Sequence, residues 1–459
     1  MGTKRLLFLF FLASGYLGGY IRCCSTEAAV AARRGFQKKG RYMETNPKLT
    51  FAILGGGGRG NAYADWLKNH PDAGKVVAVA EPDPARRAKI AQMHAIPADM
   101  QFDDWRALLA RPRLADAVFL ALMDRLHAPA GLLALNLGYH MLLEKPMATT
   151  LEDCVALERA ARENKRIVGV CHQMRYHRIY TELKRLLTDG ALGRLISFDH
   201  IEYVEHLHQS HSFVRGNWGN QARSTFMLLA KCCHDVDNLM WLVGQPCRRV
   251  SSFGSLSYFT AENAPSGAPA RCTDGCPAEA QCPYSAYKLY IHENPHWFQD
   301  HAGLTGKSYE ERLQAARTGP YGRCVFRADN DVVDHQVVAF EFDGGITGTF
   351  TMTAFTPKGG RYFRFHGTHG FIQGSMDDNT LDVYRLADRK HDHIVLPPLA
   401  GSHGGGDDLV MHNFIRALRT KDPAVILASP AESLASHKIV FAAERARLEK
   451  RVVALTEMD

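Results

Sequence analysis

The residues best placed to do chemistry in this chain are Glu144-Lys145-Pro146, which follow the apolar run Met141–Leu143. Such a run reads as the end of a buried strand. The proline cannot donate to a ladder, and it keeps the residue before it extended. Lys145 is then an amine on stiff backbone at the carboxyl edge of a sheet, the edge where open α/β folds bind ligands. Burial and a positive cofactor nearby lower an amine's proton affinity, giving an acid or base usable near neutral pH. Alone, the tripeptide reads more readily as a surface turn. The sequence upstream gives it its meaning.

There, the brief apolar strand Thr50–Leu54 runs straight into Gly55-Gly56-Gly57-Gly58-Arg59-Gly60. Gly55, Gly57 and Gly60 fit G-x-G-x-x-G, and residues 61–69 behind them are compatible with a helix. Glycines at this spacing allow a tight turn, close backbone approach to a pyrophosphate and packing of helix on strand. A second strand, Val76–Ala80, ends in Glu81, 21 residues after Gly60. An acid about 20 positions on is the expected partner of ribose hydroxyls. Arg86 and Arg87 leave a 2′-phosphate, and so NADP, open. Helical patterns over 84–93, 103–110, 127–137 and 151–164 alternate with apolar strands at 117–122 and 167–171. That alternation predicts a doubly wound parallel sheet.

The ordered set Gly55-x-Gly57-x-x-Gly60, Glu81, Asp116-Ala117-Val118, His127, Gly138-x-His140 and Glu144-Lys145-Pro146 resembles the Gfo/Idh/MocA family of NAD(P)-dependent sugar and polyol oxidoreductases. The resemblance covers roughly residues 48–450. It implies an α/β protein with an N-terminal Rossmann domain and a C-terminal α/β domain built on a large, mostly antiparallel sheet. It implies NAD, with NADP possible, held by Gly55, Gly57, Gly58, Arg59, Gly60, Glu81, Arg86, His127, Glu144 and Lys145. It also implies an active-site histidine on a helix, matched here by His234. The aspartate that precedes that histidine by four residues in the family is Ala230 in this chain, followed by Lys231. Lys145 and His234 are therefore the expected catalytic pair.

These expectations divide the chain into residues 1–46 outside the fold, a cofactor domain over 47–171 and a substrate domain over 172–459. Candidate substrate contacts are Arg175 and Tyr176 after a buried strand, Arg215, Asn217 and Trp218 in a histidine-rich segment, and Lys231 and Asp235 near His234. Residues 226–243 read as one helix. Strands are expected over 195–204, 250–258, 335–342, 345–353 and 362–367, and helices over 409–419 and 430–449. An insertion at 262–330 carries Cys272, Cys276 and Cys282, with Cys324 further on. Three close thiols and one distant one could close a structural zinc site; reduced thiols or disulfides are the other uses open to them.

The net charge of +7 arises entirely in residues 1–42, with eight basic and one acidic residue; the remainder carries 47 of each. No nucleic-acid footprint follows. Lys4 and Arg5 precede an apolar run, Leu6–Leu12, that reads either as an export leader or as an over-extended start ahead of Met43. Dependence on NAD favours a cytoplasmic protein without stable membrane association. The exposed face of a large sheet favours a homo-oligomer, dimer or tetramer. The function expected is hydride transfer at a secondary hydroxyl of a sugar, polyol or glycoside. Two other readings stay open: glycosidic cleavage through transient oxidation by tightly held NAD, and a non-catalytic nucleotide- or sugar-binding regulator.

Overall fold

Alternating strands and helices lay down the first sheet: β1 (Leu49–Leu54), β2 (Gly74–Ala80), β3 (Gln101–Phe102), β4 (Ala117–Leu120), β5 (His140–Leu143) and β6 (Val168–Val170). This computed structural model describes residues 48–292, 297–397 and 405–459, so the expected leader lies outside the described residues. The strand order is β3-β2-β1-β4-β5-β6, with every pair parallel. Phe51 and Ile53 point into one apolar cluster and Ala52 and Leu54 into another. A strand buried on both faces must be apolar throughout, which is why the sequence shows runs rather than alternation. The chain reverses its direction of travel across the sheet between β1 and β4, opening a crevice at their carboxyl ends.

The second sheet has nine strands in the order β14-β13-β12-β11-β7-β10-β9-β8-β15. They are β7 (Leu195–Tyr203), β8 (Cys247–Ser255), β9 (His335–Phe342), β10 (Thr347–Thr353), β11 (Gly360–Gly367), β12 (Gly370–Ser375), β13 (Thr380–Arg385), β14 (His391–Val395) and β15 (Val453–Ala454). Only β7 and β10 pair in parallel; the other pairs are antiparallel. One face carries Phe198, Phe350, Phe363 and Phe365 into a core shared with the helix Cys233–Val243. The helix Gly406–Thr420 sets Val410, Met411 and Phe414 against Phe51 and Phe119 of the first sheet. The helix Pro430–Glu449 begins with a capping box between Ser429 and Glu432.

Two local expectations are corrected. The single helix over 226–243 is two, Met227–Ala230 and Cys233–Val243, with a break at Lys231-Cys232. The Ala230 carbonyl, freed at the end of the short helix, accepts the Lys145 amine at 2.8 Å. The strand expected over 250–258 starts and stops earlier, because the Ser257 and Tyr258 amides donate to the buried Asp334 carboxylate and not to a ladder.

Candidate active site

Gly55 has φ +94°, and a Cβ there would lie 2.4 Å from the Ala121 carbonyl oxygen. At Gly60 a Cβ would fall 1.8 Å from the Gly55 oxygen. These two glycines close the turn against β4 and pack helix onto strand. Gly57 and Gly58 meet nothing within 4 Å. They leave bare backbone at the start of the helix Gly58–Asn69, whose N-terminus has no side-chain cap. First-turn amides without a partner, at the positive end of a helix, suit a diphosphate. Glu81, 5% exposed, accepts the Gly56 amide at 2.6 Å and the Asp83 amide at 3.0 Å. It thus braces the loop, and a carboxylate keeps lone pairs for ribose hydroxyls as well. Gly55, Gly57, Glu81 and Arg86 line one cleft of about 310 Å³. A larger groove of about 760 Å³, near Leu49, Asp116 and His140, opens at the opposite, amino-terminal edge of the sheet. The carboxyl-edge cleft is the one that fits a dinucleotide.

Arg59 turns away from that cleft. Its Nε donates to Glu144 at 2.6 Å, and its guanidinium pairs with Asp407 at 2.7 Å. Glu144 also accepts the Tyr63 hydroxyl and, at 3.2 Å, the Lys145 amide. Burial alone would raise the Glu144 carboxyl, but Arg59 and the Tyr63 hydroxyl outweigh it and hold the group below its ordinary range. The acid beside Lys145 is therefore a fixed anion that clamps the lysine's backbone. The Lys145-Pro146 bond is cis. His127, 1% exposed, has Nδ1 2.7 Å from the Pro146 carbonyl and Nε2 3.0 Å from that of Leu122, tying the turns after β4 and β5 together.

From this clamp Lys145 reaches Ala230, four residues before His234 and across the break between the two helices. His234 is 6% exposed and meets His172 edge-on, with ring centroids 5.7 Å apart. His172 packs in turn on His437, whose Nδ1 donates to the Ser433 carbonyl and whose Nε2 accepts the Met147 amide at 3.0 Å. Burial pushes His172 down to about 4 and His437 to about 3, so these two rings are neutral. Burial also lowers His208, and the charge of Lys231 lowers it further.

Several candidate substrate contacts are occupied elsewhere. Arg175 makes a two-point pair with the buried Asp237 at 2.7 and 2.9 Å, and Tyr176 accepts the Leu427 amide. Asp235 is fully buried and pairs with Arg361 at 2.6 Å and His200 at 3.1 Å. Lys231 sits 3.3 Å from Glu202, whose carboxyl burial raises in spite of Arg361 and Lys231 beside it. Trp218 Nε1 donates to Asp124 at 3.0 Å, and Asn217 lies against Met123, so this segment docks on the turn after β4. Arg215 is buried in the cysteine-bearing insertion. There Cys272, Cys276, Cys282 and Cys324 surround one pocket as free thiols. Among the described residues no three of their sulfurs come within 4.8 Å of one another, a spread that does not fit the expected tetrahedral zinc. Asp124, His437 and Asp407 are marked by no local pattern in the sequence, because their partners lie far away in the chain.

A glycine-rich loop at the switch point, a braced acid and a lysine crossing to a histidine helix define a dinucleotide-binding oxidoreductase. Residues 49–172 match the oxidoreductase family described as NAD-binding Rossmann fold, and residues 184–455 match its C-terminal alpha/beta domain. The chain belongs to the Gfo/Idh/MocA family of oxidoreductases. It is 25% identical over 362 residues to the protein YteT of Bacillus subtilis, covering 75% of this chain and 82% of that one. It is 27% identical over 204 residues to the inositol 2-dehydrogenase/D-chiro-inositol 3-dehydrogenase of Halalkalibacterium halodurans, 44% of this chain and 55% of that protein. Levoglucosan dehydrogenase in complex with NADH shares the fold, with a TM-score of 0.65 and 20% identity over 89% of this chain and 99% of the other. The WlbA dehydrogenase of Chromobacterium violaceum aligns with a TM-score of 0.61 and 18% identity, covering 90% and 97%. No helix among the described residues is long and apolar enough to cross a membrane.

Proposed function

We propose that the protein oxidises or reduces a secondary hydroxyl of a sugar or polyol, with NAD as hydride carrier. The observation that carries this reading is the Lys145 amine, fixed at the carboxyl edge of β5 and in contact with Ala230, four residues before His234. Bound NAD supplies the site that exchanges hydride with carbon. The protein's share is to hold the reacting alcohol and move the proton on its oxygen. Lys145 polarises or deprotonates that hydroxyl, and His234 shares the proton and orients the ring. Lys231, balanced by Glu202, and His208 offer further donors to neighbouring hydroxyls. Glu81 favours NAD over NADP, since a 2′-phosphate would meet its charge; Arg86 speaks for NADP, whereas Arg87 donates to the Glu81 backbone carbonyl. Inositol and levoglucosan dehydrogenases among the relatives support a polyhydroxylated substrate. The glycosidase and regulator readings draw no support from these relatives. The test is reduced-nicotinamide absorbance with a panel of cyclic polyols and sugars: at least one substrate is expected to raise it with NAD, and silence across the panel would overturn the proposal.

A further inference from the structure

We propose that His70, Asp408 and His412 bind a divalent transition-metal cation that ties two helices together, with water completing its shell. The three residues come from elements far apart in the chain. His70 caps the carboxyl end of the helix Gly58–Asn69, whereas Asp408 and His412 lie on the helix Gly406–Thr420. A spacing of four residues puts Asp408 and His412 on one face of their helix. One nitrogen or oxygen from each of the three side chains lies within 4.8 Å of the other two.

The distances and donors suit such an ion. Nε2 of His412 lies 3.3 Å from Oδ2 of Asp408. Zinc bonds of about 2.0–2.1 Å to nitrogen and oxygen set a tetrahedral edge of roughly 3.3–3.4 Å. This pair already spans one such edge, and a small turn of the His70 side chain closes the face. Two imidazoles and a carboxylate are donors that zinc and its neighbours in the first transition row accept. The His412 and Asp408 side chains are 52% and 47% exposed, so an ion reaches them directly from solvent.

Trp66 orients two of the three ligands. Nδ1 of His70 is 2.9 Å from the Trp66 backbone carbonyl. A carbonyl only accepts, so Nδ1 carries the proton and Nε2 of the neutral ring keeps its lone pair. The Trp66 indole Nε1 donates to Oδ1 of Asp408 at 2.6 Å, leaving Oδ2 toward His412. The indole also stacks on the His70 ring, with centroids 4.0 Å apart, and meets the His412 ring edge-on at 5.1 Å. A ligating imidazole ordinarily donates its other N–H to a carbonyl or carboxylate, and a ligating carboxylate is itself hydrogen-bonded. Both conditions are met here by one residue. Asp407, next to Asp408, pairs with Arg59 of the first helix, and Arg59 holds Glu144 beside Lys145. The cation therefore joins the same two helices as the ion pair that steadies the Glu144 clamp.

The test uses the full chain without an added histidine tag, stripped with a chelator and titrated with zinc in a calorimeter. His412→Ala and Trp66→Phe are titrated alongside. His412 is at the surface, so circular dichroism of the zinc-free His412→Ala chain should match wild type. Cysteines elsewhere also take zinc, so the readout is the difference between wild type and His412→Ala. Wild type is expected to bind about one zinc more per chain, and zinc should raise its thermal midpoint more than that of the variant. Trp66→Phe keeps a stacking ring but loses the indole N–H, and should weaken this site about tenfold. Equal zinc uptake by wild type and His412→Ala, or none by either, would overturn the proposal. Wild-type affinity in Trp66→Phe would overturn the orienting role of the indole. No readout depends on NAD turnover.

Discussion

At the scale of single residues, charge is used here to fix backbone. Glu144 and Lys145 are adjacent but do different work: the acid is spent on Arg59, Tyr63 and the Lys145 amide, and the amine is sent across the cleft. Arg59→Met would leave Glu144 buried without its cation, and a loss of about 2–3 kcal/mol in urea unfolding is expected. His437 gives a pH signature. Its folded value of about 3 lies below the unfolded 6.5. The neutral ring's contribution is complete above pH 6.5 and is lost as pH falls toward 3, because the unfolded chain binds a proton that the folded chain refuses. His172, lowered to about 4, acts with the same sign. Unfolding midpoints measured between about pH 7 and 5 should therefore fall, and His437→Gln should flatten the slope by up to about 1.4 kcal/mol per pH unit. An unchanged slope would remove the histidine stack from this account.

At the scale of elements, the glycine loop separates two effects that a single substitution usually mixes. Gly60→Ala places a Cβ on the Gly55 carbonyl and should cost stability, whereas Gly58→Ala enters open space. Gly58→Ala is expected to keep the thermal midpoint within a few degrees and weaken NAD binding at least tenfold by calorimetry, since the lost feature is backbone access. The loop, the strands and Glu81 were legible because each needs a residue type at a short, fixed spacing. The break at Lys231-Cys232 was not, since the apolar steps through Leu229, Cys233 and Val236 satisfy helix periodicity on both sides of it. The carbonyl that the break frees is taken by the Lys145 amine, a contact between residues 85 apart. Arg175, Tyr176 and Asp235 look like substrate ligands in sequence for the same reason. Polar residues beside a cleft cannot be told from polar residues under it until Asp237, Leu427 and Arg361 are seen to claim them.

At the scale of the whole molecule, the two halves touch through Lys145 on Ala230 and Trp218 on Asp124, and the two long helices near the end of the chain pack on the first sheet. The outer face of the nine-stranded sheet leaves Phe253 72% exposed and Val337 39% exposed. A homodimer or tetramer through this face is expected by light scattering, and Phe253→Asp should shift it toward monomer with the fold intact. The central claim is that the Lys145 amine handles the proton of the reacting hydroxyl. Its most direct test is the turnover of Lys145→Ala with saturating NAD and a substrate accepted by the wild type, with cofactor binding measured on the same sample. NAD is expected to bind as in wild type, with turnover lowered at least about 100-fold. Wild-type turnover with NAD bound would contradict it.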